Sequence, residues 1–310
     1  MAAPTRSSHR SQYTSVKPTN LEPHHERLFI IVALIGVAVT AGDIYYILYM
    51  HEPMPATLSP EKFQAFKLQE IIPLTHDTSL FRFATHYPQA DSPAGIPVPS
   101  HVVVKDDTCQ VARSYTPITY TRTHFDLLVK KYEGGSVSKF LHATPVGDKV
   151  EMSGPMVTLP YEPNLVSEIG MIAGGTGITP MYQLIKRILR DPNDHTKISL
   201  IYANRSEDDI VLRQELELLA TSRPDRLKVV YTIDQPKTPT WTGNVGFVNA
   251  DMIKKYLPAP GQGTEAAILI CGPDGLVAHV AGAKKNDEEQ GPLGGILLKL
   301  GYQQRQVFKF

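Results

Sequence analysis

The stretch Ile169-Gly-Met-Ile-Ala-Gly-Gly-Thr-Gly-Ile-Thr-Pro-Met181 constrains this chain more than any other. Its opening apolar run, Ile169 to Ala173, reads as a buried strand. Gly174, Gly175 and Gly177 follow at once. Only glycine lets a backbone turn so tightly and come so close to a ligand. Thr179 stands where a helix N-cap belongs, with Pro180 at the first helical position. Met181, Leu184, Ile185, Ile188 and Leu189 give that helix an apolar face. A strand, a glycine turn and a helix N-terminus together bind phosphate, because unpaired N–H groups and the helix dipole converge on one point. Pro180 replaces the third glycine of the full dinucleotide fingerprint. A tight turn in a parallel sheet with no ligand would share the pattern.

The surrounding sequence divides by period. From Phe63 to about Pro160 the reading is all-β, with strands at Phe66–Ile72, Ser79–Phe83, His101–Lys105, Cys109–Tyr115 and Phe125–Tyr132. Ser92-Pro-Ala-Gly and Lys105-Asp-Asp107 are its turn clusters, and the whole suggests a small antiparallel barrel. Gly134-Gly-Ser-Val-Ser-Lys-Phe-Leu141 breaks the run with a glycine pair leading into a short helix. After Pro163, strand and helix alternate. Strands are expected at Ile169–Ala173, Ile198–Ala203, Leu227–Thr232 and Ala267–Cys271, and helices at Met181–Arg190, Asp208–Ala220 and Asn249–Tyr256. That is a doubly wound parallel sheet, whose ligand crevice lies at the carboxyl ends of its strands. Ala281 to Gly295 reads as an exposed loop before a last helix, Ile296–Leu300, and a last strand, Gln306–Phe310.

Ahead of the barrel, residues 1–27 are polar, basic and poor in acids, as in a mitochondrial targeting segment or an ordinary disordered tail. Residues 28–50 are apolar except for Asp43 and long enough to cross a bilayer as a helix, with Tyr45, Tyr46 and Tyr49 as interfacial aromatics. A buried helix or an uncleaved signal segment is the alternative. Residues 51–60, with three prolines, read as a linker. The expected organisation is therefore an α+β two-domain protein behind an N-terminal transmembrane helix, with a barrel over 61–163 and a nucleotide-binding domain over 164–310. Net charge is zero, so no whole-chain field favours nucleic acid. Two cysteines, Cys109 and Cys271, rule out a disulfide framework and a cysteine-only metal site, and no metal is expected.

Three features occur in one order: Arg113-Ser-Tyr115-Thr116, the Gly134-Gly135 helix start, and the glycine turn followed by Cys271-Gly-Pro273. With Ala203-Asn-Arg-Ser-Glu-Asp-Asp-Ile210, Tyr231-Thr-Ile-Asp234 and Gly246-Phe-Val-Asn-Ala-Asp-Met252, the chain from Phe63 to Phe310 resembles the NADH–cytochrome b5 reductase family. The resemblance implies a barrel that binds FAD and a following domain that binds NADH. Arg113 would pair with the FAD pyrophosphate, Tyr115 would stack on the isoalloxazine, the Thr116 hydroxyl would approach the flavin N5, and Ser114 between them counts among the cofactor-binding residues. Lys130 and Tyr132 match positions beside the flavin nucleotide, Gly135, Val137 and Ser138 the helix start that cradles its diphosphate, and Thr179 a threonine near the ring. Gly175, Thr176 and Gly177 would hold the nicotinamide cofactor, and Cys271, Gly272 and Pro273 would flank its ring. Thr116 and Cys271 thus stand nearest the redox step. Asp234 and Phe247 match positions near the adenosine half, where a carboxylate favours NADH over NADPH.

The implied activity is that of a membrane-anchored FAD oxidoreductase passing electrons from NADH to a haem protein such as cytochrome b5. The membrane would be mitochondrial, with the domains facing the intermembrane space, or that of the endoplasmic reticulum. Ser114 replaces the family's usual proline, Ser136 and Val137 its Lys-Met, and Asp274-Gly275-Leu276 its further prolines and methionine. The C-terminal sequences resemble a fungal mitochondrial branch that includes a flavoprotein assisting haem attachment to cytochrome c. Two alternatives follow: reduction of haem or ferric iron during cytochrome c maturation, or a flavin-binding assembly factor in which Asp274 obstructs the nicotinamide. Lys130, Lys131, Lys139 and Lys149 read either as a docking patch or as a solvated face.

Overall fold

The computed structural model describes residues 56–86, 96–106, 111–286 and 289–310. The expected tail and transmembrane helix, Cys109 and the Ser92 turn cluster lie outside them. Among the described residues no helix is long and apolar enough to cross a membrane. Residues 55–310 form one compact unit.

The first half is a seven-stranded sheet whose strand pairs are all antiparallel. Its strands are β1 (Gln64–Pro73), β2 (Thr78–Ala84), β3 (Ser100–Lys105), β4 (Ala112–Tyr115), β5 (Pro117–Tyr120), β6 (His124–Lys130) and β7 (Lys149–Val157), in the order β4-β3-β7-β1-β2-β6-β5. The edge strands β4 and β5 are joined through Thr116 alone, which curls the sheet towards a barrel. Inward residues alternate along β3, as a strand with one buried face requires. Phe66, Phe81, Phe83 and Phe125 fill the interior, with Phe125 edge-on to Phe66 and stacked on Phe83. Helix α1 (Ser136–Ala143) closes the barrel by burying Val137 and Leu141. β5 and β7 escape the sequence reading. β5 is only four residues long, and Gly154 and Pro155 inside β7 carry turn chemistry.

The second half is a six-stranded sheet, all parallel, in the order β11-β10-β9-β8-β12-β13. Its strands are β8 (Glu168–Gly174), β9 (Lys197–Asn204), β10 (Leu227–Ile233), β11 (Asn244–Val245), β12 (Ala266–Cys271) and β13 (Val307–Lys309). Helices α2 (Ile178–Arg190), α3 (Arg213–Ser222), α4 (Ala250–Tyr256), α5 (Asp274–Ala281) and α6 (Gly295–Lys299) complete it. The chain winds from β8 outward to β11, then returns to β12 on the other side. The switch point therefore lies between β8 and β12, where a crevice opens at the strands' carboxyl ends.

Several expectations need correction. Helix α2 begins at Ile178, directly after a 3-10 turn over Gly175–Gly177, so Gly177 is its N-cap and Thr179 its second residue. Pro180 is tolerated there because first-turn N–H groups have no intrahelical acceptor. The expected helix Asp208–Ala220 is cut in two. Ser206 and Asp209 form a capping box that favours a short 3-10 turn, and Leu212 takes a left-handed φ of 58° before α3 starts. Helix α5 lies where no helix is expected from the sequence, and it ends at Ala281, where the expected loop begins. The expected loop from Ala281 to Gly295 is not simply exposed, because its residues Gly282 and Pro292 close on the buried Lys309.

The two halves share one core. Ile118 and Leu128 of the barrel pack in the same cluster as Met181, Tyr182 and Ile185 of α2. Gln183 of α2 accepts the Ser100 N–H at 2.8 Å and donates to the Pro117 carbonyl at 3.1 Å. Lys186 donates to the Ile118 carbonyl at 3.2 Å.

Candidate functional site

β4 delivers Arg113, Ser114 and Tyr115 to one end of the barrel. Arg113 and Ser114 are exposed, and Tyr115 and Thr116 are half-buried. Among the described residues the Arg113 guanidinium donates only to the Ala112 carbonyl, at 2.8 Å, which leaves most of its fork available for an anion. Burial pushes the Tyr115 phenol up to about 12; neighbouring Tyr132 adds to this and Arg113 opposes it. Tyr115 is therefore a neutral, flat surface at physiological pH.

Gly135 precedes α1, and a Cβ there would lie 2.6 Å from the Ser138 hydroxyl. That hydroxyl accepts the Tyr132 N–H at 3.2 Å and donates to the Gly135 carbonyl at 3.3 Å. The Val137 side chain is buried in the barrel core. These two side chains are thus committed inward. The N–H groups of Ser136, Val137 and Ser138 are what the first turn of α1 offers to a phosphate.

Across the join stands the glycine turn. Gly175 has φ +52°, and a Cβ on Gly177 would sit 2.3 Å from the Cys271 carbonyl oxygen, so the turn after β8 packs onto the end of β12 only because no side chain intervenes. The buried Tyr202 donates to the Gly175 carbonyl at 3.1 Å, and Thr179 to the Thr176 carbonyl at 3.1 Å. Thr179 thus braces the turn. The Tyr132 hydroxyl lies 3.4 Å from the Thr176 hydroxyl, which ties the barrel residues to the turn. Cys271 and Gly272 are half-buried and Pro273 is exposed. Burial pushes the Cys271 thiol up to about 12, against smaller opposing effects of Lys284 and the Gly272 N–H. It stays protonated at neutral pH and offers no thiolate nucleophile.

Asp234 and Phe247 lie farther along the crevice, at the ends of β10 and β11, and both are exposed. Burial raises the Asp234 carboxyl, with Arg205 opposing. Lys130 departs most from expectation. Its ammonium lies 2.9 Å from Asp77 and 3.5 Å from Asp209, and so bridges the two domains. His76, Asp77 and Asp209 are the one group among the described residues with metal-ligand spacing, and Lys130 already lies against both carboxylates. Asp274 sits exposed in the first turn of α5, where a carboxylate complements the helix dipole. Sequence reasoning missed Tyr202 and Asn204. Their chemistry is visible only from their place at the carboxyl end of β9, where Asn204 is 8% exposed and its amide makes no well-formed hydrogen bond.

Comparison with known proteins agrees with this geometry. The oxidoreductase FAD-binding domain matches residues 65–161, and the oxidoreductase NAD-binding domain matches residues 171–282. An Arabidopsis thaliana NADH-cytochrome b5 reductase-like protein is 42% identical over 285 residues, covering 88% of this chain and 85% of the relative. The chain belongs to the NADH–cytochrome b5 reductase family. NADH-cytochrome b5 reductase 2 of Aspergillus terreus is 37% identical over 100% of this chain and 97% of its own length. Among solved structures, the cytochrome b5 reductase domain of Ulva prolifera nitrate reductase superposes with a TM-score of 0.70 at 38% identity, covering 82% of this chain and 100% of that domain. Plant, algal and fungal members all match, so the fungal branch is not singled out. The protein is an FAD- and NADH-binding oxidoreductase of this family. Its residues fit both groups: an uncommitted guanidinium, orphan amides at α1 and a neutral half-buried phenol suit a flavin dinucleotide. The open space beside Gly175, where a Cβ would meet nothing within 4 Å, suits the nicotinamide cofactor.

Proposed function

We propose that this reductase is anchored in a mitochondrial membrane by residues 28–50, faces the intermembrane space, and passes electrons from NADH to a haem protein of the cytochrome b5 type. The observation that carries the catalytic part is the opposition of two clusters, Arg113-Ser-Tyr115-Thr116 and Gly175-Thr-Gly177, joined by the Tyr132–Thr176 contact. The anchor rests on the apolar run and its basic, acid-poor leader. The acceptor rests on the relatives named as cytochrome b5 reductases.

Bound FAD supplies the conversion between a two-electron donor and a one-electron acceptor. The chain supplies position and electrostatics. Arg113 and the first-turn amides of α1 would hold the diphosphate, and Tyr115 and Thr116 would set where the ring lies. Gly177 lets the turn after β8 pack onto the end of β12, and the nicotinamide cofactor would lie over the carboxyl ends of these two paired strands. Tyr115 and Cys271 are both neutral at physiological pH, so neither abstracts a proton there. The Asp234 carboxylate disfavours a 2′-phosphate and so selects NADH.

Because residues 55–310 form a compact unit with cores of their own, the part from residue 56 onward can be tested alone. The decisive measurement is anaerobic flavin absorbance with NADH and NADPH in separate runs, followed by addition of cytochrome b5 or cytochrome c. Bleaching by NADH and recovery with cytochrome b5 are expected. A bound flavin that neither nucleotide bleaches would overturn the reading. Recovery with cytochrome c alone would overturn the acceptor. Protease protection in intact mitochondria, against microsomes, tests the location.

A further inference from the structure

Lys309 is the penultimate residue, and it is 0% exposed. The alternation of β13 sends it inward with Val307. A buried ammonium is costly unless it is paired, and the usual partner is a carboxylate. Here the partners are backbone carbonyls: Pro292 at 3.1 Å, Ala283 at 3.2 Å, Gly282 at 3.3 Å and Gly291 at 3.5 Å. Lys309 forms no ion pair among the described residues. Three ammonium protons face four acceptors, so the group acts as a small cation in an oxygen cage.

The cage is built from both arms of the segment between α5 and α6. Gln290 accepts the Lys309 N–H at 2.7 Å and donates to the Lys309 carbonyl at 2.8 Å. Gly291, with φ +62°, brings the arms so close that a Cβ on it would lie 2.7 Å from the Ala283 carbonyl oxygen. Four carbonyl dipoles aimed at one point repel one another, and the ammonium is what makes the arrangement stable.

The place of this cage matters. Lys309 pairs with Ile270 on β12, and the next residue of β12 is Cys271. The segment therefore lies along the outer edge of the crevice, one residue from its wall. Lys284 follows the cage carbonyl of Ala283, and its charge acts on both the Cys271 thiol and His101 of the barrel.

We propose that Lys309 is a positioning residue, a tethered cation that clamps Gly282 and Ala283 against Gly291 and Pro292 along the β12–β13 edge and so holds Lys284 and the Cys271-Gly272-Pro273 wall in place for NADH. The proposal rests on the NADH–flavin reading above. It is tested on the full chain loaded with FAD. Lys309→Met keeps most of the stem and removes the charge, and Lys309→Ala leaves room for a short alkylammonium. Both are expected to raise the KM for NADH about tenfold while kcat changes much less, as expected for a displaced binding wall. Trypsin should cleave after Lys284 or Lys285 faster than in the parent. Propylammonium, and not 1-propanol, should restore Lys309→Ala.

An unchanged KM for NADH in Lys309→Met, with the parent's tryptic pattern, would overturn the proposal. So would equal rescue by the alcohol, which would reduce Lys309 to volume. If Lys309→Met fails to retain FAD, Lys309→Ala with and without propylammonium decides. Lys284→Ala, which leaves the cage intact, should raise the KM for NADH at low salt but not at high salt, and no salt-dependent rise would overturn the role of Lys284. Failure of the parent to be bleached by NADH would instead count against the reductase reading, and the tryptic comparison would still test the clamp.

Discussion

At the scale of the residue, the site is set by which groups are denied charge and which keep it. Cys271 carries a thiol pushed up to about 12 by burial, so its thiolate is scarce through the whole physiological range. In a Cys109→Ser background, alkylation of Cys271 by iodoacetamide should be slow at pH 7 and should keep rising through pH 10 without a plateau. A plateau near pH 8.5, the ordinary thiol value, would contradict the burial argument. Residue identity at the site was legible because its motifs are local: Arg113-Ser-Tyr-Thr spans four residues and the glycine turn four more. Residue role was less so. Val137 and Ser138 were marked as ligand residues, yet their side chains serve the barrel core and the turn, and only their backbone faces outward. Lys130 was placed beside the flavin, and its ammonium lies between two carboxylates from different domains.

At the scale of the element, α2 does two jobs. Its N-terminus closes the glycine turn, and Gln183 satisfies two backbone groups of the barrel. Gln183→Leu would keep the volume but leave the Ser100 N–H and the Pro117 carbonyl unpaired in a buried interface. A loss of about 2–6 kcal/mol is expected, since each of the two orphaned groups costs ~1–3 kcal/mol. Urea unfolding of the FAD-loaded protein would show it as a lower midpoint, and an unchanged midpoint would mean that water replaces the amide. The apolar face of α2 was readable from its period, but its start was not. The 3-10 turn runs into the helix without a side-chain cap, so the usual N-cap rule pointed two residues too late, to Thr179 instead of Gly177. Helix α5 was missed because Gly272, Pro273 and Gly275 look like turn residues, while Pro273 in fact caps the helix.

At the scale of the molecule, the two domains are tied by a shared apolar core, by α2 and by the Asp77–Lys130–Asp209 bridge. Burial raises both carboxyls, but hydrogen bonds from Lys130 and Thr78 to Asp77, and from Ser206 together with the Lys130 charge to Asp209, more than offset it. Both therefore lie below the ordinary carboxylate value. A depressed carboxyl contributes stability that is complete above its unfolded pKa, about 3.9, and is lost as pH falls through the lower folded value. Asp209→Asn should thus lower the melting temperature at pH 7, with the gap to the parent closing below about pH 4. A gap that persists unchanged at low pH would show that the Ser206 capping box, rather than the charge, is what Asp209 provides.

The amino-acid sequence by itself determined the two-domain plan, the direction of the second sheet, the glycine turn and the cofactor motifs. Each of these depends on near neighbours: a two- or four-residue period, a backbone angle open only to glycine, or a helix start. Only the tertiary structure decided that Lys130 bridges the domains, that Gln183 docks α2 on the barrel and that Lys309 sits in a cage of carbonyls. Those roles depend on groups 17 to 83 positions away in the chain. A polar side chain's partner at that range follows from how the sheets close, and no local pattern encodes it.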